Sequence, residues 1–335
     1  MISFSEVARN KMLLRSEIKH LHLELSSHCN ARCPLCTRNF FGFEYNRGYK
    51  EAHLTLEKIQ NILPVDFVQQ LDEILINGTH GDFVMNPESA EIVSWLRQTN
   101  SQMHIHISTN GSARNKKFWK FLGTLDVEIS FCIDGLEDTH HIYRQDTSYN
   151  KIINNARYFI ESGGRAVWTM TEFDHNKHQF KQAEQISKSL NFYSFNKRPT
   201  SRNVGPVFNK HGKKVFVMRQ ETPLLPDQIN EEYINSNVQV RNIRRLMPTP
   251  NKDPVKLHCE ALRDKSLYLS SIGEFDPCCY LGLIKSGMPG NTDLHSLRAG
   301  AKTSINDAIE WYNLVIQSFG SQQLGVCQVS CAVKL

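Results

Sequence analysis

The sequence predicts an α/β protein: six parallel βα units followed by a small cysteine-rich domain. Three observations carry this. From Leu21 to Asn196, short strand-like apolar runs alternate with amphipathic helical runs, the pattern of βα units. The alternation then stops, and seven of the twelve prolines fall between Pro199 and Pro254. Five of the nine cysteines lie beyond that break, from Cys259 to Cys331.

The elements follow in order. Residues before His20 form an amphipathic lead-in helix carrying Val7, Met12 and Leu13. Leu21, Leu23 and Leu25 alternate with His22 and Glu24, which makes the first strand. Thr55 caps a helix with Leu56, Ile59 and Ile62 on one face. Asp72 to Asn77 is the second strand, ending in Gly78-Thr79-His80-Gly81-Asp82. Asn86 caps the next helix, with Pro87 at its first position. His104 to Ser108 is the third strand, closed by Thr109-Asn110-Gly111, and a helix with Phe118, Trp119 and Leu122 follows. Val127 to Ile133 is the fourth strand and runs into Asp134-Gly135. A helix through Ile152, Ala156 and Phe159 leads to the fifth strand, Ala166 to Thr171. The helix His178 to Leu190 and the strand Phe192 to Asn196 complete the six units. The proline-rich stretch has little regular structure, with one helix near Asp227 to Ile234. The domains are thus 1–20, 21–198, a bridge at 199–255, and 256–335.

Composition bounds the function classes. No run approaches the ~18 apolar residues that span a bilayer, and Met1 to Glu6 lacks the apolar core of a signal peptide. A cytoplasmic protein with no membrane partner is expected. Nine cysteines in a reducing compartment point to metal or redox chemistry rather than disulfides. The bridge is basic, with twelve Lys/Arg against five Asp/Glu from Lys197 to Lys256. Its aromatics are sparse, so it is not a stacking platform for nucleic acid; it is a solvated connector or a surface for an acidic or phosphorylated substrate.

The chemistry centres on Cys29, Cys33 and Cys36, a CxxxCxxC loop directly after the first strand. A cubane iron–sulfur cluster takes four thiolates, so three leave one iron open. Zinc sites pair two Cys couples or Cys with His, and Cys36 has no close fourth partner in sequence. The spacing resembles the signature of the radical S-adenosylmethionine (SAM) enzymes, and the resemblance covers about Leu21 to Asn196. It implies a partial (βα)6, TIM-like barrel whose active face lies at the strand C-termini. It also implies a [4Fe–4S] cluster that binds SAM and a reductant such as flavodoxin or ferredoxin. Gly81-Asp82 stands where relatives carry a glycine-rich turn that takes the SAM ammonium. Thr109-Asn110-Gly111 resembles the family's "TNG", and Cys132-Ile133-Asp134-Gly135 its "SxDG". Arg144 resembles an arginine that clamps the SAM carboxylate. Cys132 shares a strand face with Ser130 and Asp134; it is either a hydrogen-atom donor or a small buried residue. His80 lies in the SAM-facing turn; His104, His106 and the His140-His141 pair have no matching ligand couple.

Cys259, Cys278 and the terminal couple Cys327 and Cys331 give four thiols, with Gly273 turning a hairpin between the first two. The arrangement resembles the SPASM extension in its shortened "twitch" form, which implies one auxiliary [4Fe–4S] cluster. A zinc site is the alternative, and sequence leaves Cys278 or Cys279 open as the ligand. Relatives of this kind modify peptides or oxidise small molecules such as aminocyclitols, so both substrate classes stand. A non-catalytic cluster carrier has no need of a three-thiolate site.

Overall fold

The structure, a computed structural model, describes residues 12–34, 36, 38–40, 44–45, 50–199, 205–209, 213–218, 258–284, 303–318 and 327. After β1 (His20–Leu23) comes a small hairpin of β2 (Asn39–Phe40) and β3 (Glu44–Tyr45). The helices α1 (Leu56–Ile62) and α2 (Val65–Gln70) lead into β4 (Glu73–Ile76). Then α3 (Ser89–Thr99), β5 (His104–Thr109), α4 (Lys116–Gly123) and β6 (Glu128–Cys132) alternate. The short α5 (His140–Tyr143) and α6 (Tyr149–Ile160) precede β7 (Arg165–Thr171), α7 (Phe180–Ser189) and β8 (Ser194–Arg198). The strands β1, β4, β5, β6, β7 and β8 lie side by side in that order and all pair in parallel. This is the α/β parallel sheet expected of a partial barrel.

Register explains the two faces of the sheet. Leu21, Ile74 and Ile105 share one row across β1, β4 and β5; His20, Glu73 and His104 share the row before it. The apolar set, with Leu23, Ile76 and Ile107, is buried in one core with the helix residues Ile59, Phe67, Ile92, Leu96, Trp119 and Phe159. The alternate positions carry His22, His106, Ser108, Ser130, Cys132 and Thr169 on the opposite face. Branched apolar side chains fill the interior of a closed eight-stranded barrel. Here polar groups line it, and the interior holds cavities instead of a packed core.

Several expected elements shift, each for a local reason. Asn86 does not cap α3. Its amide donates to Leu25 O and Leu54 O at 2.7 Å each, and its oxygen accepts from Glu88 N, so the helix starts only at Ser89. The last strand of the six begins at Ser194 because Phe192 N bonds back to Ser187 O and serves the end of α7. In the lead-in segment, the described part holds one 3-10 turn, Arg15–Glu17. There Asn313 holds Leu13 in both directions, accepting from its N–H at 2.8 Å and donating to its carbonyl at 3.1 Å.

The bridge is more regular than expected. It contains an antiparallel hairpin of β9 (Gly205–Phe208) and β10 (Lys214–Met218), built from β-branched and aromatic residues. The helix expected at Asp227 to Ile234 lies outside the described residues. The C-terminal part begins with α8 (Glu260–Arg263) and β11 (Ser266–Leu269), which pairs in parallel with β1 on its free side. Then β12 (Phe275–Asp276) pairs antiparallel with β11, extending the sheet to eight strands. Gly273 turns this hairpin at φ +83°, a conformation that favours glycine. The helices α9 (Cys279–Ile284) and α10 (Ile305–Ser318) complete the described chain, in which no helix is long and apolar enough to cross a membrane.

Candidate active site

The cysteine loop leaves β1 through Ser26 and Ser27. Arg38, a buried guanidinium, ties it down by donating to Ser27 O and, at 2.9 Å, to Glu51 Oε1. Cys36 N donates to Cys33 O at 3.1 Å and Asn39 Nδ2 to the same carbonyl at 3.0 Å, so the loop closes on itself around Cys33. Its apolar cover is Ala31, Tyr143, Phe173 and Val207, packed with Cys29, Cys33 and Cys36. Val207 belongs to β9, so the unexpected hairpin lies over the thiols.

The turn after β4 rests directly on the exit of β1. A Cβ at Gly81 would stand 1.9 Å from Ser26 O, so no larger residue fits there. Glu24 fixes this turn. Its Oε1 accepts from His80 N at 2.7 Å and Gly81 N at 3.2 Å, and its Oε2 accepts from the Tyr268 hydroxyl at 2.6 Å. Glu24 is 1% exposed. Burial raises its pKa, and hydrogen bonds from Tyr268, His80, Gly81 and Thr79 work against that. His80 in the same turn is buried, and burial together with Arg38 lowers its pKa to about 4.

Asp82 joins the turn to the end of β5. It accepts from Thr109 Oγ1 and Asn110 N at 2.7 Å each and from Val84 N at 3.2 Å. Burial raises its pKa while these donors lower it. Its oxygens therefore already hold the Thr109-Asn110 turn together. Asn110 Nδ2 in turn reaches Asn30 Oδ1 at 3.1 Å and Cys29 Sγ at 3.7 Å. On the far side, fully buried Asp134 accepts from Arg144 Nε and from Thr171 N at 2.6 Å each. The other arm of Arg144 points to Cys33 Sγ at 3.7 Å. Burial works against this guanidinium's charge, but Asp134 and the Cys33 and Cys132 thiols outweigh it and hold its pKa well up.

These groups line one cavity of about 310 Å³: Cys29, Cys33 and Cys36 with Gly81, Asp82, Thr109, Asn110, Cys132 and Arg144. Asp134 sits behind Arg144. Cys132 is half-buried, with its sulfur 3.5 Å from Ser108 Oγ. Burial, then Asp82 and Cys33, pushes the Cys29 thiol up. A metal cluster would reverse that, because a bound cation displaces the thiol proton. Among the described residues, no three His, Cys, Asp or Glu side chains converge as they would on a single metal ion. The three free cysteines on this loop supply the thiolates of a cubane cluster with one iron left open.

A second cavity of about 600 Å³ is lined by Cys259, Cys278 and Cys279 together with His20, His22, Glu73 and Tyr268. Asn77 lines both cavities. The Cys278 thiol is pushed well up by burial and then by Cys279, Cys327 and Cys259, which places it among the other C-terminal thiols. The Cys279 thiol, raised to about 11 by burial, has Glu24 and Glu260 as its charged neighbours instead. Cys331 lies outside the described residues. His106 donates or accepts at 2.9 Å with Ser130 Oγ, and His140 does so with Thr147 Oγ1, as ordinary interior histidines. Sequence reasoning missed Glu24, Tyr143, Val207 and Tyr268. Only Glu24 had a signal: a carboxylate on the polar face of an alternating strand that leads into the cysteine loop.

Residues 23–182 match the model of the Radical SAM superfamily, whose members use a [4Fe–4S] cluster and SAM. An uncharacterised protein of Methanocaldococcus jannaschii is 30% identical over 124 residues, which is 36% of this chain and 40% of that protein. Among solved structures, SuiB of Streptococcus suis aligns with a TM-score of 0.59 at 13% identity, over 92% of this chain and 71% of SuiB. Its complex with SAM aligns with a TM-score of 0.53 at 13% identity, over 78% of this chain and 60% of that one. The structure of anSMEcpe with AdoMet and the Kp18Cys peptide gives 0.53 at 14% identity, over 90% and 82%. At such identities the likeness concerns the fold. The chain spans less than half of the Methanocaldococcus relative and about three-fifths of SAM-bound SuiB.

Proposed function

We propose that this protein is a radical SAM enzyme that removes a hydrogen atom from a residue of a peptide or protein, leading to oxidation, crosslinking or epimerisation. The observation that carries the reading is the single cavity shared by Cys29, Cys33 and Cys36 and by the ends of β4, β5 and β6. Those three cysteines hold a [4Fe–4S] cluster with one iron left for SAM. When bound, the cluster supplies the electron that cleaves SAM to methionine and a 5′-deoxyadenosyl radical.

The chain's own residues bind and orient. Gly81 keeps the turn backbone close to the cavity, where carbonyl oxygens take the SAM ammonium. Asp82 holds that turn against Thr109 and Asn110. Arg144, oriented by Asp134, offers its remaining N–H groups to the SAM carboxylate and its charge to the cysteine loop. Tyr143, Phe173 and Val207 keep water from the thiols. Cys132 faces the same cavity and suits return of a hydrogen atom to a substrate radical. A flavodoxin or ferredoxin is the expected electron donor. The peptide substrate is favoured because likeness of fold extends to SuiB bound to its precursor peptide SuiA, at a TM-score of 0.56, and to peptide-bound anSMEcpe.

The C-terminal thiols Cys259, Cys278, Cys327 and Cys331 hold an auxiliary [4Fe–4S] cluster. Cys278 is favoured over Cys279 as the ligand because it packs against the same core as Cys259. The full chain, reconstituted without oxygen, should carry about eight irons. Cys278→Ala should drop to about four, while Cys279→Ala stays near eight; the reverse pattern would exchange the two roles. Formation of 5′-deoxyadenosine from SAM tests the function itself.

A further inference from the structure

Glu24 and Tyr268 belong to segments 244 residues apart, yet they share a buried 2.6 Å hydrogen bond between the two cavities. Each side of the pair leads to one cysteine set. Tyr268 packs against α9, which starts at Cys279: a Cβ at Gly282 would stand 2.4 Å from the Tyr268 ring. Glu24 holds the backbone N–H groups of His80 and Gly81. From that turn, Asp82 continues to Asn110, and Asn110 reaches Cys29. Both members of the pair are buried, Tyr268 at 2% exposure. What satisfies the buried carboxylate is this set of directed hydrogen bonds, so its position is fixed by them.

We propose that the Tyr268–Glu24 pair couples the C-terminal cysteine site to SAM binding. Filling the C-terminal site holds α9 and Tyr268 in place; Tyr268 holds Glu24, and Glu24 holds the turn against which SAM docks. The two residues are positioning residues and touch neither SAM nor a cluster. Coupling of this kind is reciprocal, so SAM also tightens the C-terminal site. The inference rests on the SAM-binding reading above.

The test is a double-mutant cycle on the full, anaerobically reconstituted chain. It reads SAM affinity through the change SAM causes in the electron paramagnetic resonance signal of the reduced protein. In the wild-type background, Cys278→Ala should weaken SAM binding by about tenfold. Tyr268→Phe should weaken it by a similar factor, and Cys278→Ala added to Tyr268→Phe should cost nothing more. Glu24→Gln keeps an oxygen for His80 N and Gly81 N and offers an N–H to the tyrosine oxygen, so affinity should stay within about twofold of wild type. Where Tyr268→Phe fails to fold, Cys278→Ala alone decides: unchanged SAM affinity in that variant, with the C-terminal iron lost, overturns the coupling. Additive losses in the cycle, or full affinity in both Tyr268→Phe and Cys278→Ala, overturn the coupling. A wild-type chain with both sites filled and no spectral response to SAM overturns the SAM reading, and the coupling with it.

Discussion

Asp134→Ala is expected to cost about 3–5 kcal/mol of stability, because it strands a buried charge. Asp134 is fully buried and binds Arg144 Nε and Thr171 N at 2.6 Å each. Its loss leaves the guanidinium without its carboxylate and the Thr171 N–H without its acceptor. Arg144 is 17% exposed at the side chain, so water cannot replace Asp134 fully. Asp134→Asn keeps an oxygen for Thr171 and should lose less. Urea unfolding of the three proteins under anaerobic conditions measures this. A loss below about 1 kcal/mol for Asp134→Ala would mean that the pair behaves as a solvent-screened surface bridge.

Cys33→Ala is expected to remove the N-terminal cluster while leaving the fold. Cys33 is buried among Ala31, Tyr143 and Val207, where a methyl group is accommodated. Iron should fall from about eight to about four per chain, leaving the C-terminal set filled. SAM cleavage should drop by at least about a hundredfold, since even the residues behind a metal ligand are worth 10–100-fold. Retention of all the iron in Cys33→Ala would show that another group holds that site.

The parts legible in the sequence are those specified by local pattern. Leu21, Leu23, Ile105 and Ile107 alternate with polar residues, a period that marks strands with one buried face, and Ile74 and Ile76 flank Leu75 in a short apolar run between Glu73 and Asn77. The CxxxCxxC loop and the turns at Gly81, Asn110 and Gly135 are equally local, which is why the candidate site could be assembled residue by residue. Long-range pairings were not legible. Nothing in Ser266–Leu269 says that it pairs in parallel with β1, and this pairing makes the C-terminal hairpin part of the barrel sheet. Tyr268 meets Glu24 only through it. The hairpin of β9 and β10 lies in a proline-rich stretch that argues against strands, although its single proline, Pro206, sits in a two-stranded ribbon that tolerates a missing N–H. Asp82 looked like an acceptor for the SAM ammonium because its type and place allowed it. The folded chain gives its oxygens to Thr109, Asn110 and Val84, contacts that depend on how β4 and β5 lie together.

The central claim is that the cavity holding Cys29, Cys33 and Cys36 binds SAM and cleaves it reductively. The direct measurement is product formation by the reconstituted, dithionite-reduced full chain with SAM and no substrate. Slow release of 5′-deoxyadenosine and methionine in equal amounts is expected, abolished in Cys33→Ala. Absence of 5′-deoxyadenosine from protein with iron in both cysteine sets would contradict the claim.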